Sequence, residues 1–236
     1  MRGAVATGPR ISAIVPALDE AGYIAATMAA LAPLRRRGHE VIVIDGGSAD
    51  GTPGIARSGA DRVLSAPRGR ASQMNAGAAV ARGEVLLFLH ADTRLPGDAY
   101  ERILEGLAAS GRQWGRFDVR IEGGSRLFPL IAFFSNLRSR ATGIATGDQA
   151  MFVRREAFVR AGGFPALDLM EDIALSRSLK RLSPPLCLCV KAVTSGRRWE
   201  RHGILRTVLL MWRLRLAFFL GSPPASLARL YDRKSG

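Results

Sequence analysis

Two apolar runs that end in acidic residues constrain this chain most. Val41-Ile42-Val43-Ile44 leads directly into Asp45-Gly46-Gly47-Ser48-Ala49-Asp50-Gly51-Thr52. Val85-Leu86-Leu87-Phe88-Leu89 leads into His90-Ala91-Asp92-Thr93. A continuous apolar run bounded by turn residues reads as a strand buried on both faces, and such strands belong to parallel sheets covered by helices. Open parallel sheets bind ligands in the crevice outside the carboxyl ends of their strands. The two runs therefore aim Asp45 and Asp92 at one crevice, a layout suited to a nucleotide and a metal ion.

The remaining pattern extends that sheet. Ile11 to Val15 reads as a first strand closed by Pro16. Ile24, Met28 and Leu31 have helical spacing, which predicts a helix over 21–31. The interval to the second strand, about thirty residues, matches a βαβ unit. Ser48 or Asp50 caps a short helix starting near Thr52. Residues 62–64 form a third strand, Met74 to Ala81 a helix, and Pro96 opens another that reaches about Ala109. Beyond it Phe117, Val119 and Ile121 alternate with Asp118, Arg120 and Glu122, as in a half-exposed antiparallel strand. An apolar segment with basic punctuation, 127–140, precedes a strand at 150–153, helices over 154–161 and 169–182, and a last strand at 186–190. The fold class is thus α/β, a mainly parallel sheet with an antiparallel portion. Residues 1–9 read as a disordered lead, 10–200 as the α/β domain and 201–236 as a C-terminal helical extension.

Charge narrows the partners. The formal net charge is +14, with Arg far outnumbering Lys, which admits nucleic acid, an anionic membrane face or a phosphate-rich ligand. A nucleic-acid-binding module needs arginines clustered with exposed aromatics, and here they are dispersed, so no nucleic-acid partner is expected. Arg35-Arg36-Arg37 ends a helix, where cations favour the negative end of the dipole. Cys187 and Cys189 alternate with apolar residues. Two sulfurs make no zinc site, and the pair reads as small buried residues of a cytosolic protein. No apolar leader follows Met1. The apolar stretch 204–220 is interrupted by Arg206, Arg213 and Arg215, each costly at a bilayer centre, so a spanning helix is not expected. Trp212, Phe218 and Phe219 with Arg201, Arg206, Arg213 and Arg215 suit contact of 201–220 with a membrane surface, a packed face on its own domain, or a homodimer seam. The corresponding location is the cytoplasm, peripheral on the inner face of the plasma membrane.

The polar residues at the strand ends carry the chemistry. Asp45, at the end of strand two, accepts hydrogen bonds from a base edge or a ribose hydroxyl, or caps its own turn. Asp19 and Glu20 stand at the rim of the same crevice, although Glu20 also suits the first turn of the next helix. Arg70, in the basic loop Pro67-Arg68-Gly69-Arg70, suits phosphate or ribose contact, or is a solvated loop residue. Ser48 and Asp50 suit caps better than ligand contacts. A hard divalent cation needs few protein carboxylates when a diphosphate supplies the rest, and Asp92 fits that role. His90 contacts ribose or a water near the metal, or is a buried hydrogen-bonded histidine. Asp172, Leu175, Leu179 and Leu182 share one helical face, so Asp172 points inward near a helix N-terminus, ready to take a proton from a hydroxyl. Glu171 beside it completes a capping-box-like pattern with Asp168. Gln149 follows Thr146-Gly147-Asp148, where a turn lets backbone approach a ligand, and is a candidate for sugar hydroxyls.

Together these segments carry a resemblance. Ile14-Val15-Pro16-Ala17-Leu18-Asp19-Glu20, the stretch Asp45 to Thr52, and His90-Ala91-Asp92 resemble the nucleotide half of a family 2 glycosyltransferase. Gly147-Asp148-Gln149-Ala150-Met151-Phe152-Val153-Arg154-Arg155, Gly162-Gly163-Phe164 and Glu171-Asp172 resemble its acceptor half, in the same order. The chain is similar to the small bacterial members of the arsenosugar-biosynthesis or carotenoid type. The resemblance implies a GT-A fold, a nucleoside-diphosphate-sugar donor with a UDP-sugar favoured, a divalent metal (Mg²⁺ or Mn²⁺), inversion at the anomeric carbon, and an acceptor hydroxyl or carboxylate on a lipid-like molecule. It places Pro16 with Asp19, Glu20, Asp45, Arg70 and His90 in donor binding, Asp92 on the metal, and the base on Glu171-Asp172. Arg197-Arg198-Trp199 resembles a reduced Gln-x-x-Arg-Trp motif in which Ser195 stands where Gln would be. It implies that Arg198 clamps the departing diphosphate, that Trp199 floors the acceptor site, and that His202 adds a metal ligand. A nucleotidyltransferase of similar fold is the alternative. It would carry a Gly-rich, basic loop after strand one, where this chain has Pro16-Ala17-Leu18-Asp19-Glu20.

Overall fold

Alternating strands and helices over the first ninety residues lay down a parallel sheet, and the rest of the chain adds strands beside it. The computed structural model describes residues 10–232; the expected disordered lead, 1–9, lies outside them. In chain order the elements are β1 (Ile11–Ala17), α1 (Ala21–Arg36), β2 (Glu40–Asp45), α2 (Thr52–Ala56), β3 (Arg62–Ser65), α3 (Arg70–Val80), β4 (Val85–Phe88), β5 (Thr93–Arg94) and α4 (Ala99–Ser110). There follow β6 (Trp114–Glu122), α5 (Phe128–Thr142), β7 (Met151–Arg154), α6 (Arg155–Arg160), α7 (Glu171–Lys180), β8 (Leu186–Ser195), α8 (Arg197–His202), α9 (Ile204–Phe219) and α10 (Pro224–Asp232). The sheet order is β3-β2-β1-β4-β7-β6-β8-β5. β1 to β4 run parallel, β7 is antiparallel to both β4 and β6, β8 is parallel to β6, and β5 is antiparallel to β8.

Both faces of the parallel half are covered, which is why its strands are apolar throughout. Ile11, Ala13 and Val15 pack with α1 and α4 on one face. Ile14, Ile42, Ile44, Leu86 and Phe88 pack with α3, α6 and α7 on the other. α5 lies on β6 through Phe128 and Ala132. α9 and α10 pack on the start of α7 through Leu210, Leu214 and Leu227. No described helix is long and apolar enough to cross a membrane. One face of α9 packs on its own chain, and the opposite face leaves Leu205, Leu209, Trp212 and Leu216 exposed.

Several boundaries differ from expectation. β1 continues through Pro16, because pairing with β4 stops at Ile14 and beyond it β2 is the only strand neighbour, a place where a missing N–H costs little. α1 continues past Leu31 and Pro33, and Arg35 and Arg36 form its last turn. α3 begins at Arg70 instead of Met74, so Arg70 belongs to a helix end and not to a flexible loop. α7 begins at Glu171, after Met170 in a left-handed conformation with φ 68°, so Asp168 is no cap and Glu171 makes no capping box. The Cys pair is not buried. Cys189 is exposed and Cys187 half-buried; the register shift between Phe117 and Asp118 leaves Cys189 and Val190 unpaired on β8, whereas Cys187 pairs with Arg116.

Candidate active site

The loops that leave β1 and β2 are stitched to each other by short polar side chains. Asp50 accepts from the N–H groups of Ala21 (2.8 Å) and Thr52 (3.0 Å), so it caps both helices that begin there. Thr52 Oγ1 accepts from Glu20 N–H at 2.8 Å, Ser48 Oγ accepts from Asp19 N–H at 2.9 Å, and Asp19 Oδ1 accepts from Ala49 N–H at 2.8 Å. Between the two strands, buried Gln73 donates from Nε2 to the carbonyl oxygens of Ala17 (2.9 Å) and Ile44 (2.8 Å). The loops thus hold Asp19 and Glu20 facing a cavity of about 840 Å³. That volume lies within the range of small-molecule sites.

β4 delivers the next group. His90 and Asp92 follow its last residue, and both line the cavity. Arg197, from the start of α8, reaches across to Glu20 Oε1 (2.5 Å) and Asp92 Oδ2 (3.2 Å), and its guanidinium lies 4.2 Å from the centre of the Tyr23 ring. Burial raises the Glu20 carboxyl above its ordinary value against the pull of Arg197. Burial, with Arg70 adding its charge, drops His90 to about 4, so the imidazole is neutral at physiological pH. Gly147 lies on that ring, and a Cβ there would collide with His90 Nε2.

The acidic pair at the start of α7 closes the other side. Asp172 Oδ2 accepts from the Gly147 N–H at 2.8 Å and Oδ1 from the Ile173 N–H at 2.7 Å. Burial raises both carboxyls, Glu171 to about 7, and the charge of Asp172 adds to the rise at Glu171. The N–H groups of Gly147 and Ile173 stabilise the charged form of Asp172 and so work against that rise. Of three non-glycine residues with positive φ among those described, Asp19 and Met170 line this cavity. Each left-handed residue costs about 1 kcal/mol, and such strain concentrates at functional sites.

Glu171 gives a stability signature. Its folded value lies above the ordinary 4.5, so its contribution to stability is complete below about pH 4.5 and lost as pH rises through about 7. Glu171→Gln removes that loss. The melting temperature of the variant, relative to wild type, should be higher at pH 8 than at pH 4.5 by a few degrees. Melting curves that stay parallel across this range would refute the assignment.

Most of the expected site converges here: Asp19, Glu20, Arg70, His90, Asp92, Glu171, Asp172, Arg198, Trp199 and His202 all line the cavity. Three residues are not brought to it. Pro16 is buried inside β1. Asp45 turns back into its own loop, where Ser48 Oγ (2.5 Å) and the N–H groups of Gly47 and Ser48 bind its carboxylate. Gln149 is fully buried, with Oε1 accepting from the Thr146 N–H at 3.2 Å and Nε2 donating to Asn136 Oδ1 at 3.3 Å, so it braces the turn at Gly147–Gln149. Arg138 lines the cavity without having been singled out from the sequence, and Arg197 and Asp148, which the sequence offers only as members of motifs with no role of their own, line it too.

Among the described residues no group of three or more His, Cys, Asp or Glu is placed to hold a metal ion. The donor set fits a cation that takes most of its ligands from a diphosphate. Asp92 presents a hard carboxylate to the cavity, and beside it across Arg197 the buried Glu20 Oε2 has no hydrogen-bond partner.

No curated protein matches the chain. Among solved structures, S. aureus TarS 1–349 superposes with a TM-score of 0.64 at 17% identity, over 84% of this chain and 64% of that one. The mannosyltransferase PcManGT from Pyrobaculum calidifontis, in complex with GDP-Man and Mn²⁺, gives 0.66 at 23% identity, over 90% and 62%. Glucosyl-3-phosphoglycerate synthase from Mycobacterium tuberculosis, with Mn²⁺, UDP and glucosyl-3-phosphoglycerate, gives 0.66 at 21% identity, over 93% and 82%. The chain spans less than two thirds of the length of the first two. At these identities the likeness is one of fold, and the fold is GT-A. The sequence profile described as Glycosyl transferase family 2 matches residues 12–162, well over half of the 236 residues, and the chain belongs to that family.

Proposed function

We propose that this protein is an inverting glycosyltransferase that moves a sugar from a nucleoside-diphosphate-sugar, a UDP-sugar by preference, to a hydroxyl of a lipid-like acceptor. The observation that carries the reading is the meeting, in one cavity, of the Asp92–Arg197 pair at the strand ends with the Glu171–Asp172 pair on α7. The similar structures support it: one TarS structure is described with UDP-GlcNAc, PcManGT with GDP-Man and Mn²⁺, and the synthase with UDP and Mn²⁺. Within the family, the motif order favours the small bacterial arsenosugar-biosynthesis or carotenoid type.

Asp19, Glu20, Arg70 and neutral His90 line the donor side. Arg70, Arg197 and Arg198 bring positive charge to the diphosphate, which leaves with a negative charge. Asp92 would hold a divalent cation, Mg²⁺ or Mn²⁺, which would supply positive charge to the departing diphosphate. Asp172 takes the proton of the acceptor hydroxyl as its oxygen attacks the anomeric carbon from the face opposite the diphosphate, so one displacement inverts that centre. Glu171, which holds its proton up to about 7, keeps a second negative charge away from Asp172 until the medium is neutral. Trp199 lines the acceptor side. His202 lines the cavity as well, and its part in metal binding belongs to this proposal.

A panel of nucleotides and nucleotide-sugars, screened for thermal protection with and without Mn²⁺ or Mg²⁺, tests the reading. A ligand that binds only the native state raises its melting temperature. UDP-sugars should protect and should do so only with metal. A flat response to every UDP and GDP compound sinks the proposal.

A lipid-like acceptor goes with peripheral membrane contact. The exposed stripe Leu205, Leu209, Trp212, Leu216 on α9 is flanked by exposed Arg206 and Arg213, and α5 exposes Leu130, Phe133, Phe134 and Leu137. Such a face binds anionic lipid surfaces through apolar area and charge together. The protein should float with anionic liposomes at low salt and be released by alkaline carbonate. Indifference to liposomes at both low and high salt rules the contact out.

A further inference from the structure

The acceptor side of the cavity holds an arginine with an unmet need. Arg138 sits on α5 with its guanidinium largely buried. Among the described residues its Nη1 reaches only the Ile144 carbonyl oxygen, at 3.4 Å, and its buried Nε and Nη2 have no hydrogen-bond partner. Among the described residues no carboxylate lies within 4.0 Å of it, although Asp148 and Asp172 are near enough to feel its charge. A guanidinium does not escape by losing its proton in a protein, and a buried charge without a counter-charge is costly. Arg215, from α9, lines the same cavity. Burial, followed by the charge of Arg215, lowers Arg138 to about 10. Two cations share this corner, and neither is among Arg70, Arg197 and Arg198, which the reading above assigns to the diphosphate.

The walls leading outward from that corner are apolar. Leu130 and Phe134 come from α5, and Leu205, Val208 and Trp212 from α9. Of the thirteen large apolar residues exposed in the described structure, eleven lie in 127–137 and 205–220. Neither α5 nor α9 contains an acidic residue. Cationic floor, apolar walls and a base at the junction form one continuous cavity.

We propose that Arg138 and Arg215 clamp an oxyanion on the acceptor, and that the acceptor is an amphiphile whose chain lies between α5 and α9 while its phosphate or carboxylate sits beside the hydroxyl that receives the sugar. This inference rests on the catalytic reading of the same cavity. It adds a requirement that sugar transfer alone does not impose, namely a negative charge on the acceptor.

Calorimetry on the full chain, saturated with UDP and Mn²⁺ so that the donor cations are engaged, tests it with four probes: n-decyl phosphate, decanoate, 1-decanol and inorganic phosphate. One of the two charged amphiphiles should bind at least about tenfold more tightly than decanol and than phosphate, the increment expected of a charge-assisted contact. Whichever binds more tightly identifies the head group. Arg138→Gln and Arg215→Gln should each erase most of that advantage and leave UDP affinity unchanged. Arg138→Gln should also keep or raise the melting temperature, because it removes a buried charge that has no partner to lose. Equal binding of decanol and the charged amphiphiles, equal binding of phosphate and decyl phosphate, or indifference to both substitutions overturns the proposal. So does a fall of several degrees in the melting temperature of Arg138→Gln, which marks a structural arginine. If UDP with Mn²⁺ fails to bind wild type, the donor reading fails, and the comparison of wild type with Arg138→Gln on the unsaturated protein still decides the anion site.

Discussion

Asp172→Asn should abolish measurable sugar transfer while leaving the protein able to bind UDP with Mn²⁺. The substitution keeps volume, and its amide oxygen still accepts from the Gly147 or Ile173 N–H. It removes the ability to take a proton, which is worth roughly 10²–10⁴ in rate for a positioned base. Glu171→Gln should cost much less, because it leaves the Asp172 carboxylate and both of its N–H donors in place. The decisive comparison is kcat for the two variants beside their affinity for UDP. Near-normal turnover by Asp172→Asn with a collapse in Glu171→Gln would exchange the roles of the two carboxylates. A loss of UDP binding in Asp172→Asn would show that the substitution disturbs the cavity and not the proton.

Asp92→Ala should have the second large effect. It removes the carboxylate that the strand end offers to a cation and leaves Arg197 with Glu20 as its remaining anionic partner. Loss of a supporting partner alone costs a metal site about 10–100-fold in affinity, and loss of the ligand itself should cost at least that. Metal-dependent thermal protection by UDP should vanish, while the unliganded melting temperature changes little, since Asp92 is part of no apolar cluster. Binding of UDP and Mn²⁺ by Asp92→Ala equal to wild type would remove Asp92 from the metal site.

The sheet was legible because its physics is local. β2 and β4 are buried on both faces, so each is an uninterrupted apolar run whose end marks a loop at the crevice. His90, Asp92, Glu171 and Asp172 were found for that reason or through motif order. The helix that carries Asp172 differs from its sequence pattern: α7 starts at Glu171, not Leu169, and Glu171 is less exposed to solvent than Asp172. A left-handed residue such as Met170 gives no sequence signal at a helix start, since glycine is the residue expected there. Asp45 and Gln149 show the opposite difficulty. A polar residue in a glycine-flanked loop looks the same whether it binds a ligand or the backbone of its own turn, and both bind backbone or neighbouring side chains here. Read from sequence, Arg197 has no role beyond its motif, and Arg138 none at all, because their meaning is not local. The partner of Arg197 is 177 positions away, and Arg138 is defined by contacts it lacks.

Gly147 is one peptide unit with two obligations. Its N–H holds the carboxylate of Asp172, and its bare Cα leaves room for the ring of His90. The first belongs to acceptor chemistry and the second to the donor end of β4. Domain shuffling within this family therefore meets a seam here. A chimaera that joins the first ninety residues of one member to the remainder of another inherits two working surfaces whose registration depends on a contact narrower than a methyl group. Recombination between relatives should succeed when residue 90 travels together with 146–149 and 172, and fail at breakpoints that separate them, however well each half folds.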